Sequence, residues 1–455
     1  MFLYFKETKM KKTLLWSVTA ATAGFLFGFD TVVISGANQP VKELWQLSPL
    51  FHGTFVMSMA LWGTVVGSLL GGFPAQRYGR KKTLFWIGVL YLISALGSAL
   101  APDPFTFSLM RFIGGLGVGA SSVAVPVYIS EISTARTRGQ FVALYQFNIV
   151  FGIFIAFLSN YLLDGVGGAI DWRFMLGIEA FPAVIYCLFV LRVPESPRWL
   201  ILTKKDDTQG LRILQFIYSE REAEANLRAI KEGAGKMDTT ESLFQRKYSR
   251  VLTLAFLLAF FNQWSGINFV LYYAPEILEH SGLATQESLF SSISIGTVNL
   301  IFTVIGVRLI DRLGRRQLMT LGSIGYILSL TLVAWCFYSE VNPILLISFI
   351  LLFIASHAIG QGAVIWVFIS EIFPNKIRAY GQAWGTGVHW VFAALITLIT
   401  PLFLDEKEGI FGENPWPIFA FFSFMMIGQL LWARVSMPET KGVSLEQLSK
   451  KLIND

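Results

Sequence analysis

Residues 261–277, FNQWSGINFVLYYAPEI, lie inside an apolar stretch beginning near Val251, yet they carry adjacent amides at Asn262 and Gln263, a Ser-Gly pair, Asn268 and two tyrosines. At about 1.5 Å rise per residue, Asn262 sits ~17 Å into a helix entering at Val251, close to the middle of a ~30 Å hydrocarbon slab. An amide left unpaired there costs several kcal/mol, so these groups must face other helices or a watery cavity, where hydroxyl-rich ligands pair with them. A single amide also serves simply to tie one helix to another. Three of them crowded into so short a stretch point instead to a binding site. Gly266 and Pro275 weaken the helix on either side, as suits a segment that bends while a cavity opens and closes.

The rest of the chain agrees with a membrane setting. Of 455 residues 54% are hydrophobic and 15% charged, with 40 phenylalanines, and the mean hydropathy is +0.57. Apolar runs long enough to cross a bilayer lie near 13–37, 51–75, 83–101, 105–130, 140–163, 173–192, 250–278, 288–311, 317–338, 343–370, 379–403 and 416–436, which predicts an all-α membrane protein of twelve helices. The start, with Lys6, Lys9, Lys11 and Lys12, resembles a signal peptide. The apolar run behind it continues too far and contains Asp30, so it reads as a retained first helix. One long polar stretch, 194–249, separates two six-helix halves at 13–193 and 250–436, and a tail follows at 437–455. Cations gather in the even-numbered connections (Arg77, Arg80, Lys81, Lys82; Arg136, Arg138; Arg312, Arg315, Arg316; Lys376, Arg378), whereas the odd-numbered ones are rich in acids. The positive-inside rule then sets both termini and the 194–249 segment in the cytoplasm, with the chain in the cell's inner membrane. The net charge of +6 therefore reports orientation in the bilayer rather than a nucleic-acid partner.

The two halves repeat one another. QRYGRKK at 76–82 returns as DRLGRRQ at 311–317, ISEISTARTRG at 129–139 as ISEIFPNKIRA at 369–379, and PESPR at 194–198 as PETKG at 438–442, in one order and at nearly constant offset. Pseudo-symmetric halves of this kind support rocking about a central site. Together with GFDTVVISG, PESPRWL and the 261–277 stretch, these motifs resemble the sugar porters of the major facilitator superfamily over nearly the whole chain after about residue 13, nearest in character to bacterial proton-coupled monosaccharide transporters. The resemblance implies the twelve-helix major facilitator fold with a helical cytoplasmic linker, a monomer in the bilayer, and a monosaccharide and a proton as the transported partners.

Asp30, Arg111 and Glu179 are ionisable residues within apolar runs, and each is by default a functional candidate. Asp30 is ~24 Å from a helix start at Leu14, while Arg111 and Glu179 are ~9–11 Å from starts at the other face, so all three reach one level. Burial favours the neutral form of a carboxyl and a nearby guanidinium the charged one, so a carboxylate that alternates between Arg-paired and Arg-free states takes up and releases a proton. A static buried ion pair is the alternative. In the family resembled here, proton symporters carry acids at the positions of Asp30 and Glu179, and passive carriers lack them.

The resemblance also implies sugar-contacting positions: Gln146 on helix 5; Gln263, Asn268 and Tyr272 on helix 7, with Asn262 beside them; Asn299 on helix 8; Trp366 on helix 10; and His389 and Trp390 on helix 11. Amides donate and accept across vicinal hydroxyls, and an indole offers an apolar face and one N–H. The chain departs from the family pattern at three places. Asn262 stands where a second glutamine is usual, His389 where glutamine is common, and Ala363 where proline follows Gly362. His389 either pairs with a hydroxyl, titrates, or is a neutral histidine bonded to a neighbouring helix. A second constellation of charges sits at the cytoplasmic helix ends: Arg80, Glu131, Arg138, Glu195 and Arg198 in one half, Arg315, Glu371, Arg378 and Glu439 in the other. By resemblance these form a gate that latches the outward-facing state, although they also serve topology.

No phosphate-cradling loop is present, the four histidines are scattered, and Cys187 and Cys336 both lie in apolar runs, so no ATP-driven pump, metal site, cofactor or enzyme is expected. The expectation is a proton-coupled monosaccharide importer working by alternating access. A passive sugar or polyol uniporter and a non-transporting membrane sugar sensor are the alternatives.

Overall fold

With no water in hydrocarbon to satisfy backbone N–H and C=O groups, these apolar runs can only be helices. The computed structural model describes residues 2–134, 136–234, 242–374, 376–443 and 445–453, so 235–241 of the expected linker and 444 and 454–455 of the tail lie outside the described residues. Among the described residues twelve helical spans are long and apolar enough to cross a membrane. In chain order they are Met10–Leu44, Pro49–Leu70, Arg80–Leu100, Pro104–Glu131, Arg138–Leu163, Gly168–Val190, Arg246–Tyr272, Thr285–Leu313, Arg315–Tyr338, Pro343–Ile372, Tyr380–Leu404 and Trp416–Val435. We number them spans 1 to 12.

Some limits differ from those read in sequence. The first helix runs past residue 37 to Leu44 despite Pro40, because polar Asn38 and Lys42 find partners there instead of ending it. Span 2 stops at Leu70, and the remaining residues to Tyr78 form a separate short helix. Span 7 ends at Tyr272, with residues Ala274–Glu279 in a distinct short helix.

The halves share one packing scheme. Span 1 packs on 5, 2 on 4, 3 on 4 and 3 on 6; in the second half 7 packs on 11, 8 on 10, 9 on 10 and 9 on 12. Across the halves span 2 meets 11 and span 5 meets 8, two equivalent seams. Helices gain little from hydrophobicity when lipid is as apolar as leucine, so close backbone approach decides the pairing. Gly63 and Gly67 of span 2 face Gly115 and Gly119 of span 4, and a Cβ at any of them would come within 2.4 Å of a facing carbonyl oxygen.

The polar stretch between the halves folds as helices Asp207–Ile217 and Glu220–Ala234, whose apolar sides enclose Ile201, Leu214 and Ala223. It lies at the end of the bundle that carries both chain termini, hereafter the terminal end.

Candidate functional site

In span 1 Asp30 lies in a helix buried by its neighbours, and Arg111 of span 4 reaches it: Nη1 donates to Asp30 Oδ1 at 2.5 Å and Nη2 to the Asp30 carbonyl at 2.9 Å. Gly114, one turn beyond Arg111, leaves the needed space, since a Cβ there would sit 2.3 Å from Ser94 Oγ and 3.5 Å from Asp30 Oδ1. Glu179 occupies the junction between helices Asp171–Gly177 and Ala180–Val190 of span 6 and adjoins both Asp30 and Arg111. All three residues are 1% exposed. Asp30 Oδ2, Glu179 Oε1 and Arg111 Nε are buried without a hydrogen-bond partner. Two orphaned carboxyl oxygens side by side are what a proton would satisfy. Tyr272, from the other half, lies beside Thr31, Asp30 and Arg111.

Span 7 is interrupted at Gly266, whose φ of +85° is the left-handed conformation that glycine adopts without strain. The break turns the surrounding amides towards one another. Gln263 Nε2 donates to Asn262 Oδ1 at 3.0 Å, and Asn268 Nδ2 donates to Gln263 Oε1 at 2.9 Å. Gln263 Nε2 also lies 3.2 and 3.3 Å from the two ring nitrogens of His389 on span 11. His389 is held edge-on between Trp366 and Trp390, with ring centroids 4.9 and 4.7 Å away, and Trp390 meets Phe27 of span 1. The Trp390 indole N–H is buried without an acceptor. Spans 1, 7, 10 and 11 therefore converge on one wall of amide, imidazole and indole. Such a wall can exchange its internal hydrogen bonds for bonds to a polyhydroxylated ring. Gln146 is half-buried on span 5, and Asn299 Oδ1 accepts from Thr303 of its own helix at 3.5 Å. Among the described residues neither bonds to the Gln263 cluster.

The charges at the terminal end form two matching clusters, each within one half. Arg80 makes a two-pronged pair with Glu131, with both bonds at 2.9 Å, and Arg315 does so with Glu371 at 3.1 and 2.8 Å. Glu195 accepts from the backbone N–H groups of Arg80 and Lys81, and Glu439 from those of Arg315 and Arg316. These two glutamates thus cap the starts of spans 3 and 9 from far along the chain, a role the motifs alone did not reveal. Arg138 is exposed, Arg198 lines a crevice with Arg80 and Glu131, and Arg378 Nε donates to the Phe373 carbonyl at 3.2 Å. The halves are not mirror copies here: Asp311 stands 3.6 Å from Arg315, whereas Gln76 offers its carbonyl to the Trp199 indole.

At the opposite end, polar contacts cross between the halves. Asn38 of span 1 donates to Glu276 Oε2 at 2.5 Å, His52 Nε2 lies 2.5 Å from Asn38 Oδ1, and Lys42 pairs with Asp405. Glu276 lies beyond span 7, in Ala274–Glu279. Burial raises its carboxyl to about 7, against the opposing pull of Lys42 and the Asn38 bond. None of these five residues emerged from sequence as a site. Asn38, His52 and Glu276 each stand alone at the edge of an apolar run, and only the fold joins them; the signal was a polar side chain at a helix end with no local partner.

Comparisons with known proteins agree with this arrangement. The family model for sugar (and other) transporters matches residues 16–452. The arabinose-proton symporter of Bacillus subtilis (strain 168) is 36% identical over 98% of this chain and 96% of its own, and the D-xylose-proton symporter of Escherichia coli (strain K12) is 32% identical over 97% and 96%. The solved structure of the E. coli xylose transporter XylE in a partially occluded inward-open conformation superimposes with a TM-score of 0.84 at 30% identity, covering 95% of this chain and all of that one. A twelve-span bundle of two like halves, a buried carboxylate–guanidinium pair, an amide and indole wall, and a match along the whole chain give one conclusion: the protein is a multi-pass membrane protein belonging to the sugar transporter family, with the major facilitator fold.

Proposed function

We propose that this protein imports a monosaccharide, hexose or pentose, together with a proton by alternating access. The observation that carries the reading is the Asp30–Arg111 pair, 1% exposed, with Glu179 alongside and an orphaned oxygen on each carboxyl. A proton arriving at Asp30 neutralises it, weakens its hold on Arg111 and leaves that guanidinium to rearrange; Glu179 is the neighbouring acid that shares or passes the proton. Tyr272 adjoins this pair and belongs to the same broken helix as Gln263 and Asn268. A change at Asp30 is thereby felt where the sugar binds.

Sugar hydroxyls engage Gln263, Asn262, Asn268, Asn299 and Gln146, with His389 as a further hydrogen-bonding group and Trp366 and Trp390 against the ring face. The conformer described here is inward-facing, a reading supported by the cross-half contacts at Asn38, Lys42, Glu276 and Asp405 and by terminal-end clusters that close within their own halves. In the outward-facing state the Arg80, Glu131, Arg138, Glu195 and Arg198 set meets the Arg315, Glu371, Arg378 and Glu439 set as the cytoplasmic gate. The units that rock are 13–193 and 250–436, joined through 194–249, with a tail at 437–455; both termini face the cytoplasm of a cell whose inner membrane holds the monomer.

The relatives named as proton symporters favour coupling over passive transport and over a sensor that does not transport. The test is uptake into proteoliposomes holding the purified chain, with arabinose, xylose, glucose, galactose, fructose and inositol competing against one labelled sugar. With an inward proton gradient the wild type accumulates its sugar. Asp30→Asn is expected to lose accumulation entirely and keep sugar exchange. Uphill uptake by that variant would overturn the coupling scheme, and absence of counterflow by the wild type would overturn transport itself.

A further inference from the structure

The cluster at the end opposite the termini holds more acid than base. Lys42 is committed to Asp405, which is 2% exposed and also accepts from the backbone N–H groups of Lys407 and Glu408 at 3.0 and 2.9 Å. Glu276, 6% exposed, accepts from the amide of Asn38 and feels the same Lys42, one cation between two buried acids. That amide is itself held by His52: an amide oxygen only accepts, so His52 carries its proton on Nε2, and its Nδ1 is buried without a partner. His52 opens a π-helical turn, His52–Met57, an irregularity that recurs at functional positions. The other titratable groups around Glu276 do not supply a missing cation: they are Glu279 and Tyr273 on its own segment and Glu406 beyond span 11. The short helix carrying Glu276 belongs to one half, and Asn38 and His52 belong to the other. The side-chain hydrogen bond that Glu276 accepts therefore crosses between the halves.

We propose that Glu276 is a second proton-binding site, one that is loaded when the external gate closes and emptied when it opens, so that external pH sets the gate equilibrium separately from the Asp30 pair. The inference takes from the proposed function the alternate opening of the two ends and the cytoplasmic placing of the termini, which makes the Glu276 end the external one. When the halves part, Glu276 leaves Asn38, meets water and returns towards the ordinary glutamate value of ~4.3, whereas closure buries it and holds it near 7. The sign follows by linkage. The closed state binds the proton more tightly, so its advantage is complete below about 4.3 and fades as pH rises through about 7. A transporter built this way shuts its outer mouth with a proton aboard and reopens it more readily in alkaline surroundings.

The experiment places spin labels at the exposed positions Ser48→Cys and Glu340→Cys, which flank this end on opposite halves, in the full chain carrying Cys187→Ala and Cys336→Ala. Interlabel distances are measured in lipid at pH 5 and pH 8 without any sugar. The short-distance, closed population is expected to fall relative to the open one by roughly tenfold or more across that interval, as one coupled proton allows. Glu276→Gln keeps an oxygen for the Asn38 amide and is expected to lose most of that change, retaining only the smaller part that the Asp30 pair contributes. Glu276→Asp restores the larger pH response, and Asp30→Asn, which removes only the part that the Asp30 pair contributes, retains it. A wild-type distribution that does not move between pH 5 and 8, a Glu276→Gln profile that tracks the wild type, or loss of the response in Asp30→Asn alone would each overturn the proposal. Because the readout needs no sugar, it stands or falls independently of the counterflow assay.

Discussion

Gly266 is the residue on which the amide cluster turns. Its φ of +85° would cost another residue about 1–2 kcal/mol, and a Cβ there would lie 2.6 Å from the Phe422 ring. Gly266→Ala is therefore expected to lower the thermal unfolding temperature of the detergent-solubilised protein and to weaken sugar binding by moving Asn268 away from Gln263. An unchanged melt together with unchanged affinity would mean that the helix break is not needed. The amides themselves were legible in sequence because three polar groups in a hydrocarbon-spanning stretch demand a reason. Which of them meet was not legible: His389 bonds Gln263 across 126 residues of chain, and no periodicity reports that.

At the scale of the element, the paired motifs near residues 79 and 314 prove to be helix starts capped from a distance. Each begins at a glycine with positive φ, Gly79 at +99° and Gly314 at +93°, followed by an arginine whose N–H points at a glutamate from the end of its own half. A carboxylate at a helix N-terminus satisfies orphan donors and complements the helix dipole. Glu439→Ala is expected to lose about 1 kcal/mol, as other caps do, and to speed amide exchange in the first turn after Gly314 while leaving span 3 unchanged. Equal protection in both spans would refute the capping role. Repetition of the motifs told us that two halves exist. It did not separate charges that gate from charges that hold a helix end, because both uses place an acid and an arginine at the same membrane surface.

For the whole molecule, the informative contrast is between its ends: polar contacts cross the halves at Asn38–Glu276 and Lys42–Asp405, while the terminal-end pairs close within a half. Asp405→Asn removes a charged bond between the halves worth about 1.5–3 kcal/mol, so under the proposed alternating access it is expected to shift the two-state equilibrium towards the form whose gate at this end is open, by roughly tenfold or more. Spin-label distances between positions 48 and 340 would report the change, and an unaltered distribution would show that Lys42–Asp405 does not hold the gate. The sequence by itself determined that the chain spans a membrane twelve times in two like halves, because apolar runs, cation bias and repeated motifs are local properties that hydrocarbon and water read directly. It determined as well that Asp30, Arg111 and Glu179 share a depth, since rise per residue converts position into height. Only the tertiary structure decided which partners they face at that height, which end of the bundle carries polar contacts between the halves, and that Asn38, His52 and Glu276 form a buried cluster. Those outcomes depend on how helices rotate and pack against one another, which depth along a single helix does not specify.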